Sequence, residues 1–217
     1  MNHLKIEIVS DIMGPWCIIG YKNLEAALKQ LSETIEANVS WWAFELNPDM
    51  PKAGLSIDDY LQQKYGLSAI EGKRKMQQVT EAGKKAGFTF NFDDDRIMIN
   101  SFDCHRLLLW SMQYEKQTAL KLALFDAHFT NAIFLNAQEN LLKVVASVGL
   151  DKECAQVILD GDEYAKEVRA EQQKAQQMGI SAVPTFIINE KYSISGGQAV
   201  ETFVQALTQI SEEALSA

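Results

Sequence analysis

The sequence holds no Cys-x-x-Cys pair, and its three cysteines, Cys17, Cys104 and Cys154, are far apart. An odd count at such spacing supports neither a disulfide framework nor a cysteine-ligated zinc site, and it fits reduced thiols in a reducing compartment. Positive charge is scarce. The 20 Lys and Arg stand against 29 Asp and Glu, a formal net charge of −9. Such a chain repels phosphate backbones, so no nucleic-acid partner is expected. No apolar run reaches the roughly 18 to 20 residues a membrane span requires. The opening MNHLKIEIVSD carries charge within its apolar stretch, so it does not read as a signal peptide. The resulting expectation is a cytoplasmic protein without a membrane partner. Metal-ligand patterns are missing too. The run Asp93-Asp94-Asp95 has no matching ligand spacing and reads as a solvated loop, so no metal is expected.

What is present is an ordinary apolar fraction, 47% over 217 residues, enough for a sizeable core. Residues 4–10 alternate and then run apolar, which predicts a strand. Leu24, Ala27, Leu28 and Leu31 recur at helical spacing over 21–37, and 38–44 is β-branched and aromatic. This opening is β-α-β, with a parallel strand pair. A proline-rich loop, ELNPDMPKAG, follows. From about 56 to 178 the pattern is helical, in segments near 56–64, 70–86, 101–114, 119–129, 137–148, 152–159 and 164–178. Strand signals return in PTFIIN and KYSISGG, joined by a polar turn at Asn189-Glu190, and 199–210 is a last amphipathic helix. The predicted fold class is α/β, a thioredoxin-like fold (β-α-β … β-β-α) with a large all-helical insertion. Residues 1–52 and 179–217 form the thioredoxin-like part and 53–178 the insertion.

The stretch Gly14-Pro15-Trp16-Cys17 lies where the first strand gives way to helix. Proline is favoured just inside a helix start, which makes Pro15 the first helical residue, Gly14 the N-cap and Cys17 the third helical position. Amides and the positive end of the helix dipole favour a thiolate there, so a Cys17 pKa below the free value is expected. The fragment is three quarters of the redox motif Cys-Pro-Trp-Cys, with glycine at the attacking position. Val183-Pro184 lies just ahead of a strand. A cis bond is inexpensive only before proline, and one here would turn the Val183 backbone toward the Trp16 turn, where it can pair with an extended peptide or glutathione.

Taken together, SDIMGPWCIIG, WWAFELNPDMP, NSFDCHRLLLW, LFDAHF and GISAVPTFIINEKYSISGGQ resemble the DsbA-like thioredoxin-fold family, FrnE branch, over almost the whole chain. That branch is similar to 2-hydroxychromene-2-carboxylate isomerases and kappa-class glutathione transferases. The resemblance implies a thiol-disulfide oxidoreductase ancestry and a cleft facing Trp16. It implies that Asn47, Asn100, His105 and the Gly196-Gly197-Gln198 turn line that cleft. It also implies a possible homodimer. FrnE-type members carry cysteine where Gly14 stands, and the isomerases and transferases carry serine.

Three readings follow. In the first, a notch over Gly14 exposes Cys17 as a single-thiol centre for a small thiol or disulfide. In the second, the protein is a glutathione-using isomerase or transferase, Gly14 makes room for the glutathione sulfur, and His105 or a water handles protons. In the third, it is a non-enzymatic peptide-binding module. No tightly bound cofactor is expected; glutathione is the one candidate ligand of this kind. Cys104 and Cys154 read as structural, and His105 as a substrate contact set against a packing role. His128 reads as packing and His3 as solvated. The run 71–87 reads as a solvated helical face. Strand alternation would bury one ring of Trp41-Trp42 and turn the other outward.

Overall fold

The structure is a computed structural model that describes residues 1–92 and 96–216, so the Asp93-Asp94-Asp95 run lies outside the described residues. β1 (Asn2–Ser10) leads into α1 (Pro15–Gln30) and β2 (Ile35–Ala43). The chain then forms β3 (Leu55–Ser56), α2 (Ile57–Tyr65), α3 (Ala69–Lys85) and β4 (Ile97–Met98). The helices α4 (Phe102–Ser111), α5 (Gln117–Phe125), α6 (Gln138–Ser147), α7 (Lys152–Asp160) and α8 (Ala165–Gln177) follow. β5 (Thr185–Ile188), β6 (Tyr192–Ser195) and α9 (Val200–Ser216) complete the described chain. The main sheet has the order β2-β1-β5-β6. β1 runs parallel to β2 and antiparallel to β5. The expected β-α-β … β-β-α order with a helical insertion is what the chain adopts.

The boundaries are set by local chemistry. Ser56 caps α2 through the Asp59 N–H, and Ser68 with Glu71 makes a capping box on α3. Asn189 and Glu190 both have positive φ, 51° and 58°, the backbone a tight hairpin between β5 and β6 needs. α1 ends at Gln30 rather than at 37, because Ile35 and Ala37 are taken into the ladder with β1. The pairing of β3 with β4 is only two residues long and left no periodic signal in the sequence.

Ile6 and Ile8 of β1 pack with Phe186 of β5 and Phe203 of α9 into a core continuous with the helical insertion. The opposite sheet face carries Val9, Trp42 and Ile187 under Ala175 of α8. This corrects the reading of the tryptophan pair. Alternation does send the two rings to opposite faces, but α8 covers the second face, so both Trp41 and Trp42 are buried. Lys174 lies over the Trp42 ring, 4.2 Å from its centroid.

β2 is an edge strand, and the insertion closes part of that edge. Gln117 accepts the Trp41 N–H at 2.9 Å and donates to the Trp41 carbonyl at 2.9 Å, while Glu171 accepts the Ala43 N–H at 2.7 Å. These side chains occupy the place of a further strand. Gln117→Ala leaves a buried donor and acceptor of Trp41 without partners. It is expected to destabilise the protein by about 1–3 kcal/mol in urea titration.

Candidate active site

Gly14 caps α1 with φ −89° and ψ 105°, Pro15 follows at the helix start, and Cys17 is the third helical residue, as its spacing predicts. The turn ahead of the helix is closed by the Gly14 N–H on the Asp11 carbonyl at 3.2 Å, and the Cys17 N–H returns to the Gly14 carbonyl at 2.9 Å. The Val183-Pro184 bond is cis.

A cavity of about 350 Å³ opens beside this helix start. Gly14, Pro15, Trp16 and Val183 form one wall. The other comes from the insertion: Tyr60, Leu61 and Tyr65 of α2, Met76 and Val79 of α3, and Phe92, Met98 and Phe129. The lining is mostly apolar with a few polar groups, the usual composition of a small-molecule site. Trp16 is 44% exposed at its rim. Arg96 reaches the wall with its guanidinium over the Phe92 and Phe129 rings, at 5.0 and 5.4 Å, and donates to the His128 carbonyl.

Cys17 is placed otherwise than the single-thiol reading requires. It is 0% exposed, and burial pushes its thiol up to about 11 against the pull of the Ser10 hydroxyl and Lys121. The expected depression of its pKa is therefore overturned: desolvation outweighs the helix terminus. No notch exposes the sulfur. A Cβ built on Gly14 would stand 2.7 Å from Cys17 Sγ and 3.5 Å from Leu46 Cδ1, so the space above the sulfur is shallow.

The other sequence-derived candidates divide. Pro184 is buried behind Val183, with its Cγ against Gly20. Gly197 lies under the turn of Trp16, where a Cβ would meet the Trp16 carbonyl at 3.0 Å. Gly197 is thus a close-approach glycine that seats α1. Gln198 is exposed and bonds the Ser195 carbonyl. Asn100 donates to the Met50 carbonyl at 2.8 Å, tying the insertion to the loop after β2. Asn47 lines a smaller crevice with Asp11 and Ser101. His105 is 1% exposed, lies outside the cavity wall and sits 3.4 Å from Asp11 Oδ1, which corrects its reading as a substrate contact. Cys104 is buried and Cys154 exposed, and all three cysteines are free. His128 packs on Phe129, and burial lowers it to about 3. His3 is exposed beside Glu36. Among the described residues no group of His, Cys, Asp and Glu is arranged to hold a metal ion, and no helix is long and apolar enough to cross a membrane.

Two residues at this site went unread in the sequence. Asp11 is fully buried and accepts the Met13 N–H at 3.2 Å and the Leu46 N–H at 2.7 Å. Burial pushes its carboxyl up, but the neighbouring His105, the Leu46 N–H and Ser101 outweigh that and hold it below the usual carboxylate value. The signal was available: an aspartate three residues before a glycine at a strand end is a turn-forming pattern. Lys121 is also fully buried, and its Nζ donates to the Ser10 carbonyl at 3.3 Å. Nothing in the apolar run of α5 marked it.

The model of the DSBA-like thioredoxin domain matches residues 5–208. The chain belongs to the DSBA-like thioredoxin domain family. A probable DsbA oxidoreductase from Streptomyces coelicolor is 32% identical, with a TM-score of 0.88 over 95% of this chain and 89% of that one. The 2-hydroxychromene-2-carboxylate isomerase is 12% identical, with a TM-score of 0.69 over 98% of both chains. The cytosolic disulfide reductase DsbM from Pseudomonas aeruginosa, solved with GSH, is 15% identical, with a TM-score of 0.62 over 95% of this chain and 98% of that one. Both of these likenesses are of fold. YwbO of Bacillus subtilis is 24% identical over 204 residues, 94% of this chain and 95% of its own. Within this DSBA-like chain, the helix start, the cis-proline loop and the cavity come together, and the sulfur of Cys17 lies behind them.

Proposed function

We propose that this DSBA-like protein is a glutathione-dependent isomerase or transferase, in which the working sulfur belongs to the bound thiol and not to Cys17. The observation that carries the reading is the pairing of Gly14, which lines the cavity, with a Cys17 that is wholly buried behind it. A cysteine held near 11 is almost entirely protonated at neutral pH and has no open side to attack from. The α1 N-terminus remains electropositive, and the Trp16 N–H lies in the first turn, where no intrahelical carbonyl accepts it. These groups favour a thiolate placed over Gly14. The Val183 backbone offers an extended peptide such as glutathione a strand-like partner. Glutathione would supply the nucleophilic sulfur. The aromatic and methionine walls of α2, α3 and Phe129 exclude water from an apolar second substrate, and a water must carry the proton because His105 faces Asp11. Three free cysteines are compatible with work in the cytoplasm, where glutathione keeps thiols reduced.

Calorimetric titration with reduced glutathione tests the reading. Wild type and Cys17→Ala are expected to bind with equal affinity. Gly14→Leu in the Cys17→Ala background, which fills the space over the helix start, is expected to weaken binding by about tenfold or more. An absence of binding by wild type, or its loss in Cys17→Ala, overturns the proposal.

A further inference from the structure

The turn that carries Gly14 is held from two directions by one buried carboxylate. Asp11 Oδ1 accepts the Met13 N–H at 3.2 Å, Oδ2 accepts the Leu46 N–H at 2.7 Å, and the Asp11 carbonyl accepts the Gly14 N–H at 3.2 Å. The same carboxylate lies beside two residues at the start of α4: His105, whose Nε2 is 3.4 Å from Oδ1, and Ser101. One residue earlier, Lys121 of α5 grips the Ser10 carbonyl at 3.3 Å. Asp11, His105, Ser101 and Lys121 are all at least 97% buried. Apolar residues of like volume would often be as stable as a buried charged cluster. The cluster gains direction instead: it fixes the Met13 amide and the Ser10 carbonyl, both within four residues of Gly14, and ties the turn to the Leu46 amide of the loop after β2. None of these side chains lines the main cavity, so they act through the turn and not on a ligand.

We propose that Asp11 is the positioning residue of the site, aiming the Gly14–Trp16 backbone at a sulfur bound there, and that the helical insertion sets this aim through His105 and Ser101. The inference rests on the reading that a thiol sits over Gly14, and its test is built to fail separately from it. Two effects of Asp11 oppose each other. Its negative charge disfavours a nearby thiolate, while its hydrogen bonds hold the amides that favour one. Asp11→Asn removes the charge, keeps the shape, and leaves an amide that cannot accept from both Met13 and Leu46. If positioning dominates, thiolate stabilisation falls. If charge dominates, it rises.

The first arm compares reduced glutathione with S-methylglutathione, which has no thiolate, on wild type and Asp11→Asn. A loss of about tenfold for glutathione, with S-methylglutathione changed by less than about threefold, supports the proposal. Equal losses for both ligands mean a merely structural role and overturn it, and tighter glutathione binding overturns it as well. The second arm needs no glutathione. Gly14→Cys with Cys17→Ala carries a single thiol at the site, whose pKa is read from thiolate absorbance. Adding Asp11→Asn is expected to cut the thiolate fraction at a given pH by about tenfold; no change or an increase overturns the proposal. Should wild type bind no glutathione, the functional reading falls and this second arm still decides the role of Asp11. Should Asp11→Asn fail to fold, His105→Leu and His105→Gln in the same two-residue background replace it. Leucine is expected to lower the thiolate fraction, and glutamine, which still donates to Asp11, to restore it. The same value in both overturns the proposal.

Discussion

Gly14→Cys is expected to turn this site into a working dithiol centre. Gly14 has an extended φ of −89°, open to any L-residue, so the backbone does not resist the change. The added Cβ would stand 2.7 Å from Cys17 Sγ. For alanine that is a clash. For cysteine it is close to the ~3 Å between a Cβ and the partner sulfur that disulfide geometry implies. Pro15 and Trp16 already separate the two positions as in a Cys-x-x-Cys motif. In air the variant should carry a bond between residues 14 and 17. Three native thiols plus one introduced, less the two bonded, leave two titratable after denaturation. Wild type should show three, and insulin reduction should appear in the variant against a background-level wild type. Four free thiols and no insulin reduction would contradict the geometry.

Lys121→Met is expected to stabilise the protein at neutral pH by about 1–3 kcal/mol. Burial lowers the Lys121 amine from 10.5 to about 8, against the raising influence of Cys17 and Asp11. Below pH 8 both the folded and unfolded chains carry the charge, and the folded one carries it buried, so the full cost, about 3 kcal/mol, is present. Between pH 8 and 10.5 the unfolded chain binds more protons, and stability from this group rises with pH. Above that window neither state is charged and the cost is gone. The buried thiols of Cys17 and Cys104, both raised by burial, act in the opposite sense at high pH, but they do so in both proteins. The difference between variant and wild type in urea denaturation should therefore shrink from pH 7 to pH 10. A variant less stable than wild type at pH 7 would show that the ammonium's bond to Ser10 and its contacts with Trp41 and Phe125 outweigh its desolvation.

Much of the fold was legible because its signals are local. Pro15 and Gly14 mark the start of α1, and Asn189-Glu190 turns the last hairpin. Val183-Pro184 stood out as a proline ahead of an apolar strand. What failed depends on contacts distant in sequence. Periodicity alone carries α1 on to 37 because Ile35 fits helical and strand periodicity alike, and its partner Asn2 decides the matter. The second tryptophan is buried by α8, more than 120 residues away. The site divides in the same way. Spacing placed Gly14, Trp16 and Cys17 correctly along the helix, but the helix start alone argued for an exposed thiolate. The packing that buries Cys17, and the insertion residues Ser101, His105 and Lys121 that grip Ser10 and Asp11, follow from the tertiary fold.

The reactivity of Cys17 in the native protein bears most directly on where the working sulfur lies. Intact-mass analysis after incubation with oxidised glutathione from pH 6 to pH 9, with peptide mapping and Cys17→Ala alongside, measures it. The placement of the three cysteines predicts that any adduct maps to the exposed Cys154, that Cys17 stays unmodified across the series, and that Cys17→Ala gives the same pattern as wild type. A glutathione adduct on Cys17 that vanishes in the variant, with a midpoint below pH 8, would contradict the account and make Cys17 the active thiol.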